Sequence, residues 1–344
     1  MGFKVFGKNP SGKRLERVEQ SPNFIGSSFQ NLESTYIVAK RVSSLKLLRG
    51  FFNRNKSVSP PGKIFAIQNN LKDLSSENPT VVWFGHSSYA LLSKSFSILI
   101  DPVLNANASP FRFLIKSFNG SDIYSVKDLP NIDMVVITHD HYDHLCYSNI
   151  MELQQKCKRF IVPLGVGEHL EYWGIDPANI VELDWGQQVE VNTEVSMIAT
   201  PARHFSGRTF TRNKTLWCSY VLMMQGKKIY LGGDSGYGVH YKTIGEKYGP
   251  FDLAILECGQ YGYGWPQIHM IPEETVTATF DLRAKALMPV HWGRFAISQH
   301  SWNESVKRAY AAANDLKLRI VAPRIGEFFE IGLPFKQSEW WNSE

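Results

Sequence analysis

The chain has 344 residues, 43% hydrophobic and 20% charged, with 26 Gly and 17 Pro, which excludes collagen-like, low-complexity and disordered classes and leaves room for a sizeable core. Its net charge of +5 is uneven: residues 1–65 hold 12 Lys/Arg against 3 Asp/Glu and the remainder 25 against 29, so the body is net −4 and offers no basic stripe to a nucleic acid. No run reaches the roughly 18 apolar residues of a membrane span. The opening residues 1–20 show no apolar stretch of signal-peptide type, and Phe6 stands where an N-myristoylation signal wants Ser or Thr. Cys146, Cys157, Cys218 and Cys258 are scattered without a C-x-x-C pair, as suits a reducing compartment. The expectation is therefore a cytoplasmic protein.

Residues 1–35 show no period and read as an irregular arm. Over 38–56, Val38, Val42, Leu45, Leu48 and Phe52 recur at helical spacing, with Lys40, Arg41, Lys46, Arg49 and Lys56 between them, which predicts a basic amphipathic helix. Such a helix suits either packing on the body or peripheral contact with an anionic membrane. We divide the chain into this basic arm, 1–65, and a catalytic body, 66–344. From Thr80 onward strands are expected at 80–84, 89–92, 96–101, 134–138, 159–163, 195–200, 217–224, 228–231, 253–256 and 286–290. Helices are expected at 148–156, 166–173, 237–248, 272–282 and 302–315. Strands that first meander and then alternate with helices predict two packed sheets flanked by helices.

The decisive stretch follows the strand at 134–138: His139-Asp140-His141-Tyr142-Asp143-His144. Three imidazoles and two carboxylates are poor core material unless a cation satisfies them. Without thiolates, the donor types favour zinc, with iron or manganese as alternatives. His204, Asp234 and His291 each follow an apolar run, so loops at one sheet edge can add ligands.

This H-x-H-x-D-H run, followed by His, Asp and His at strand ends, resembles the metallo-β-lactamase superfamily of hydrolases. Trp83-Phe84-Gly85-His86, Asp101-Pro102, His204-Phe205-Ser206-Gly207-Arg208, Gly233-Asp234-Ser235-Gly236-Tyr237 and His291-Trp292-Gly293 bring it closest to the branch of phospholipases D that hydrolyse N-acyl-phosphatidylethanolamine, with bacterial relatives and L-ascorbate-6-phosphate lactonases as neighbours. The resemblance runs from about Ser21 to Phe295. It implies an α/β fold of the αββα four-layer sandwich type and two divalent metal ions. It places His139, His141 and His204 on one ion, Asp143, His144 and His291 on the other, and Asp234 between them, with hydroxide attack on phosphorus. Cys146 departs from the acidic residue common in this branch, and Arg294 stands where the mammalian phospholipase has Thr.

Around that core, His86 is expected as a turn residue or an accessory catalytic group, and Asp101 as a group orienting a ligand imidazole. His269 is expected to line the pocket or cap the helix at Pro272. Tyr261 and Trp265 form a candidate substrate wall. Arg294 is expected to contact a substrate phosphate, with an ion pair or a surface position as the alternative. The leading function is a phosphodiesterase of phospholipase D type acting on a phospholipid or other small phosphodiester. A lactonase or other carbonyl hydrolase on the same metals and a non-catalytic lipid-binding module are the competing readings. No nucleic acid partner is expected, and a homodimer is compatible with the sequence.

Overall fold

Apolar runs whose side chains alternate between two faces build a pair of seven-stranded sheets. The computed structural model describes residues 4–39, 55–74, 76–104, 107–111 and 113–342. One sheet has the order β16-β3-β4-β5-β6-β7-β8, from β3 (Thr80–Trp83), β4 (Tyr89–Leu92), β5 (Ser97–Ile100), β6 (Met134–Val136), β7 (Phe160–Pro163), β8 (Ile180–Leu183) and β16 (Phe328–Glu330). The other runs β15-β14-β13-β12-β11-β10-β9, from β9 (Gln188–Glu190), β10 (Val195–Thr200), β11 (Ser219–Met224), β12 (Lys227–Leu231), β13 (Leu253–Glu257), β14 (Ala286–Val290) and β15 (Arg319–Ile320). Each sheet is antiparallel on one side and parallel on the other, the change falling at β5 and β12.

The side-chain period of two sorts residues between layers. Val81, Trp83, Ile98, Ile100 and Val136 face the second sheet, where they join Met197, Leu222 and Ile229 in the central core. Val82, Leu99, Val135 and Val162 point the other way, onto α2 (Tyr147–Leu153) and α3 (Gly167–Trp173) through Ile150, Leu153, Leu170 and Trp173. Behind the second sheet lie α4 (His240–Tyr248), α5 (Pro272–Asp281) and α6 (Glu304–Asp315), contributing Tyr241, Val276 and Val306 to the same core. The result is the αββα sandwich, with the parallel β6, β13 and β14 ending at one edge.

The N-terminal stretch is not irregular. Gly12–Glu19 forms α1, and Phe24–Ile25 pairs with Ser28–Phe29 as the hairpin β1–β2. The charge of the arm is met by the body: Arg14 bridges Glu168, Glu171 and Glu182, Arg17 reaches Glu182, and Lys8 lies 2.7 Å from Glu168. The amphipathic helix expected over 38–56 lies, from 40 to 54, outside the described residues. No helix among the described residues is long and apolar enough to cross a membrane.

Candidate metal centre

The loops that leave the strand ends at one edge of the sandwich hold the site, and four non-glycine residues there take left-handed backbone: His86 (φ 54°), Asp101 (φ 42°), Gln260 (φ 62°) and His291 (φ 68°). Each such residue costs about 1–3 kcal/mol, which packing elsewhere offsets. Gly233 also has positive φ, at 61°, and a Cβ there would stand 2.9 Å from that of Thr138, so the loop bearing Asp234 needs glycine to approach the histidine loop.

Hydrogen bonds fix which nitrogen of His139, His204 and His144 is bare. Thr138 Oγ1 donates to Asp101 Oδ2 at 2.6 Å, so it accepts from His139 Nδ1 at 3.1 Å, leaving His139 Nε2 without a proton. His204 Nδ1 donates to Ile268 O at 2.9 Å, which leaves its Nε2 bare as well. These two nitrogens stand 2.9 and 3.3 Å from His141 Nδ1. Two bare nitrogens thus face His141 Nδ1, which could donate to only one of them, and the imidazole donor set suits a transition metal. His144 is oriented likewise, Nδ1 donating to Asp101 Oδ2 at 2.7 Å. Its Nε2 and Asp234 Oδ1 are buried with no hydrogen-bond partner, so the residues present fit a metal. Ligand atoms of His139, His141 and His204 lie within 4.8 Å of one another, and so do those of His86, Asp143, His144 and His291. Asp234 faces both groups, Oδ2 lying 3.8 Å from His139 Nε2 and 3.2 Å from His144 Nε2, with Oδ1 3.1 Å from His291 Nδ1.

The electrostatics of three of these imidazoles agree with ligation. Burial, reinforced by the neighbouring imidazoles, holds His139, His204 and His291 well below the ordinary histidine value and so neutral. For His144 burial acts in the same direction, but Asp234, Asp143 and Asp101 outweigh it and raise the value.

Several remaining side chains stand elsewhere than their sequence positions suggest. His86 is fully buried, its Nε2 2.9 Å from Asp143 Oδ2, so it holds a carboxylate of the second group. Arg294 is neither at the surface nor in an ion pair with α5. It is wholly buried, Nη1 donating to Phe84 O at 2.7 Å and Ser121 O at 3.1 Å, and burial brings its value down to about 10. The expected contact with a substrate phosphate therefore gives way to a structural role, binding the Gly293 loop to the turn before His86. Arg294→Ala is expected to cost about 3 kcal/mol through lost packing and two unpartnered carbonyls. Thermal unfolding checks this, and KM for a small phosphodiester stays unchanged.

His269 stands beside the metal ligands, its ring 5.1 Å from His204 and 5.3 Å from His291. Its Nδ1 lies 2.6 Å from Oε2 of Glu257, a residue the sequence did not single out. Glu257 ends β13 fully buried, and its other oxygen accepts from Ser235 N and Met270 N, both at 3.1 Å. Tyr261, Tyr263, Trp265, Ile271, His300 and His269 are among the residues lining a mostly apolar cavity of about 430 Å³. The Tyr261 hydroxyl donates to Glu304 and Trp265 Nε1 to Gln260 O, so both rings are fixed walls. Cys146 is buried beside Phe295 and Ala108.

Asp140, between two ligands, turns away from them. Its carboxylate lies 3.2 Å from His169 Nε2 and accepts from Thr215 Oγ1 at 2.9 Å and Gly207 N at 2.7 Å. Burial alone would raise its pKa, but His169, His141 and Arg208 hold it well below the usual carboxylate range. Its contribution to stability is thus present above the ordinary Asp value near pH 4 and is lost as pH falls through the folded value. Asp140→Asn is expected to cost about 2 kcal/mol at neutral pH. In paired chemical-unfolding curves the gap from the parent closes as pH falls below about 4.

Residues 97–292 match the family described as a beta-lactamase superfamily domain. The chain belongs to the metallo-β-lactamase superfamily. Its relatives include the uncharacterized protein Rv0906 of Mycobacterium tuberculosis, 37% identical over 329 residues covering 94% of this chain and 88% of that one. The N-acyl-phosphatidylethanolamine-hydrolyzing phospholipase D 1 of Caenorhabditis elegans is 32% identical over 271 residues, covering 72% and 74%. Among solved structures, the metallo hydrolase Igni18 of Ignicoccus hospitalis superposes with a TM-score of 0.57 at 20% identity, over 75% of this chain and all of that one, a likeness of fold. The site and the superfamily together make the protein a metal-dependent hydrolase.

Proposed function

We propose that this superfamily member is a binuclear phosphodiesterase of phospholipase D type, acting on N-acyl-phosphatidylethanolamine or a related phospholipid. The observation that carries the reading is the pair of ligand groups joined by Asp234, set beside a mostly apolar cavity that shares His269 with them. The similarity to the nematode phospholipase supports the lipid class. His139, His141 and His204 would hold one divalent ion, Asp143, His144 and His291 the other, and Asp234 would bridge; zinc suits these donors best. Bound there, the metals supply Lewis acidity toward phosphate oxygens and lower the pKa of water.

The protein's own groups do the rest. Asp101 and Thr138 hold His144 and His139 with their bare nitrogens inward, and His86 steadies Asp143. Burial lowers the His269 value against the pull of Asp234 and raises that of Glu257; in the form of the pair that carries one negative charge and a single proton, held between Nδ1 and Oε2, Nε2 is bare. His269 Nε2 is then free to take the proton that water loses on attack and return it to the leaving oxygen, while Glu257 stabilises the transient imidazolium. The cavity receives the apolar part of the substrate.

A panel on metal-replete protein tests the reading: N-acyl-phosphatidylethanolamine, other glycerophospholipids, bis-p-nitrophenyl phosphate, an acyl lactone and a cephalosporin. Turnover of the phosphodiesters is expected. Turnover confined to the lactone or the cephalosporin overturns it.

A further inference from the structure

Three segments far apart in the chain meet beside the histidine loop and share one composition. Residues 1–15, 102–121 and 201–219 contain no Asp or Glu; Lys8 and Arg14 are met by glutamates of the body and Arg208 is buried, which leaves Lys4, Lys13, Lys116 and Arg212 exposed. Contacts join them. The Phe6 and Phe111 rings are 6.2 Å apart, Arg208 Nη2 donates to Val5 O at 2.7 Å, and Asn9 Nδ2 donates to Thr211 Oγ1 at 3.0 Å. The 201–219 segment borders the metal centre. Tyr142 OH donates to Arg208 O, Arg208 Nη1 donates to Asp140 O at 2.7 Å, and the Phe205 ring stands 4.4 Å from His141.

From this face large apolar side chains project into solvent. Phe210 is completely exposed and Phe113 is 73% exposed, with Phe111 and Leu114 close to half exposed. Exposed Lys116 and Arg212 flank them. Single exposed apolar residues are ordinary, but four in two segments joined through Phe6 and Val5, with exposed Lys116 and Arg212 beside them, are not.

We propose that this face docks on a bilayer containing anionic phospholipid, with Phe113 and Phe210 entering between headgroups and Lys116 and Arg212 meeting their phosphates, so that the metal centre opens against the lipid surface. Charge complementarity selects an anionic partner, and the apolar tips select a bilayer over a purely polar polyanion. The surface differs from the 38–56 segment expected from sequence. Its purpose rests on the lipid reading above; the docking itself does not.

Sedimentation of the full chain with vesicles tests it, using phosphatidylcholine alone and a mixture with phosphatidylglycerol. Binding is expected to the mixture. The double variant Phe113→Ser/Phe210→Ser should weaken it by roughly tenfold or more, given the apolar area withdrawn. Lys116→Glu/Arg212→Glu should weaken it most at low salt. Both should turn over bis-p-nitrophenyl phosphate at the parent rate. Failure of the parent to sediment, parent-like binding by the aromatic variant, or tighter binding to an RNA oligonucleotide than to the mixed vesicles overturns the docking. If the parent binds vesicles as described but cleaves no lipid, the lipid reading fails and the docking stands. If it cleaves lipid in detergent micelles while the variants sediment as the parent does, the docking fails and the lipid reading stands.

Discussion

Asp234→Asn is expected to lose at least about a thousandfold in kcat/KM on every substrate the parent accepts, the scale reached when a central group of a catalytic unit is removed. The amide keeps the shape of the carboxylate but halves its capacity to accept and removes its charge, at a residue whose oxygens face His139, His144 and His291 together. Elemental analysis of the purified variant should show metal content falling with activity. The fold should persist, because Asp234 Oδ1 has no protein hydrogen-bond partner to lose. A variant with full metal content and near-parent turnover would remove Asp234 from its bridging position.

The second large effect separates proton transfer from metal chemistry. His269→Ala should lower kcat on a phosphodiester with an alkyl alcohol leaving group by roughly 10²- to 10⁴-fold, the usual range for a positioned proton-transfer group. On bis-p-nitrophenyl phosphate the loss should be much smaller, since p-nitrophenolate leaves without a proton. Glu257→Gln should show the same leaving-group dependence in weaker form, because the amide still holds the ring but stabilises its charged form less. Because burial keeps His269 neutral, parent activity on the alkyl substrate should hold as pH drops through the ordinary histidine value near 6.5. Equal losses on both substrates would assign the pair a structural role only.

How far the sequence reveals this architecture follows from where each element sits. The ten strands expected from apolar runs correspond to β3–β7 and β10–β14, which are flanked by other strands and buried. The four it does not reveal in the sandwich, β8, β9, β15 and β16, are the edges of the two sheets. Edge strands are short and partly polar because they must not recruit further chains, so Gln188–Glu190 and Arg319–Ile320 carry little apolar signal. The helix Gly12–Glu19 is hidden by its length and its glycine start.

The seven candidate ligands are legible because they are polar residues placed abruptly after apolar runs. Glu257 follows the same rule as Asp101, a carboxylate closing an apolar strand, and that signal could have found it. Arg294 shows the limit of local reasoning. Three residues past His291, it looks directed to the pocket, yet its partners are carbonyls 210 and 173 residues away, and nothing in the local sequence announces them. Asp140 and Arg208 are similar, for their roles appear only when the loop at 205–213 and the Val5 carbonyl come together.

The most direct measurement of the central claim is to run the reaction on N-acyl-phosphatidylethanolamine in water enriched in heavy oxygen and find the label by mass spectrometry. Attack on phosphorus predicts heavy oxygen in the phosphate of the released phosphatidic acid and none in a fatty acid or in the N-acylethanolamine. Label in a released fatty acid, with the phosphodiester intact, would contradict the account.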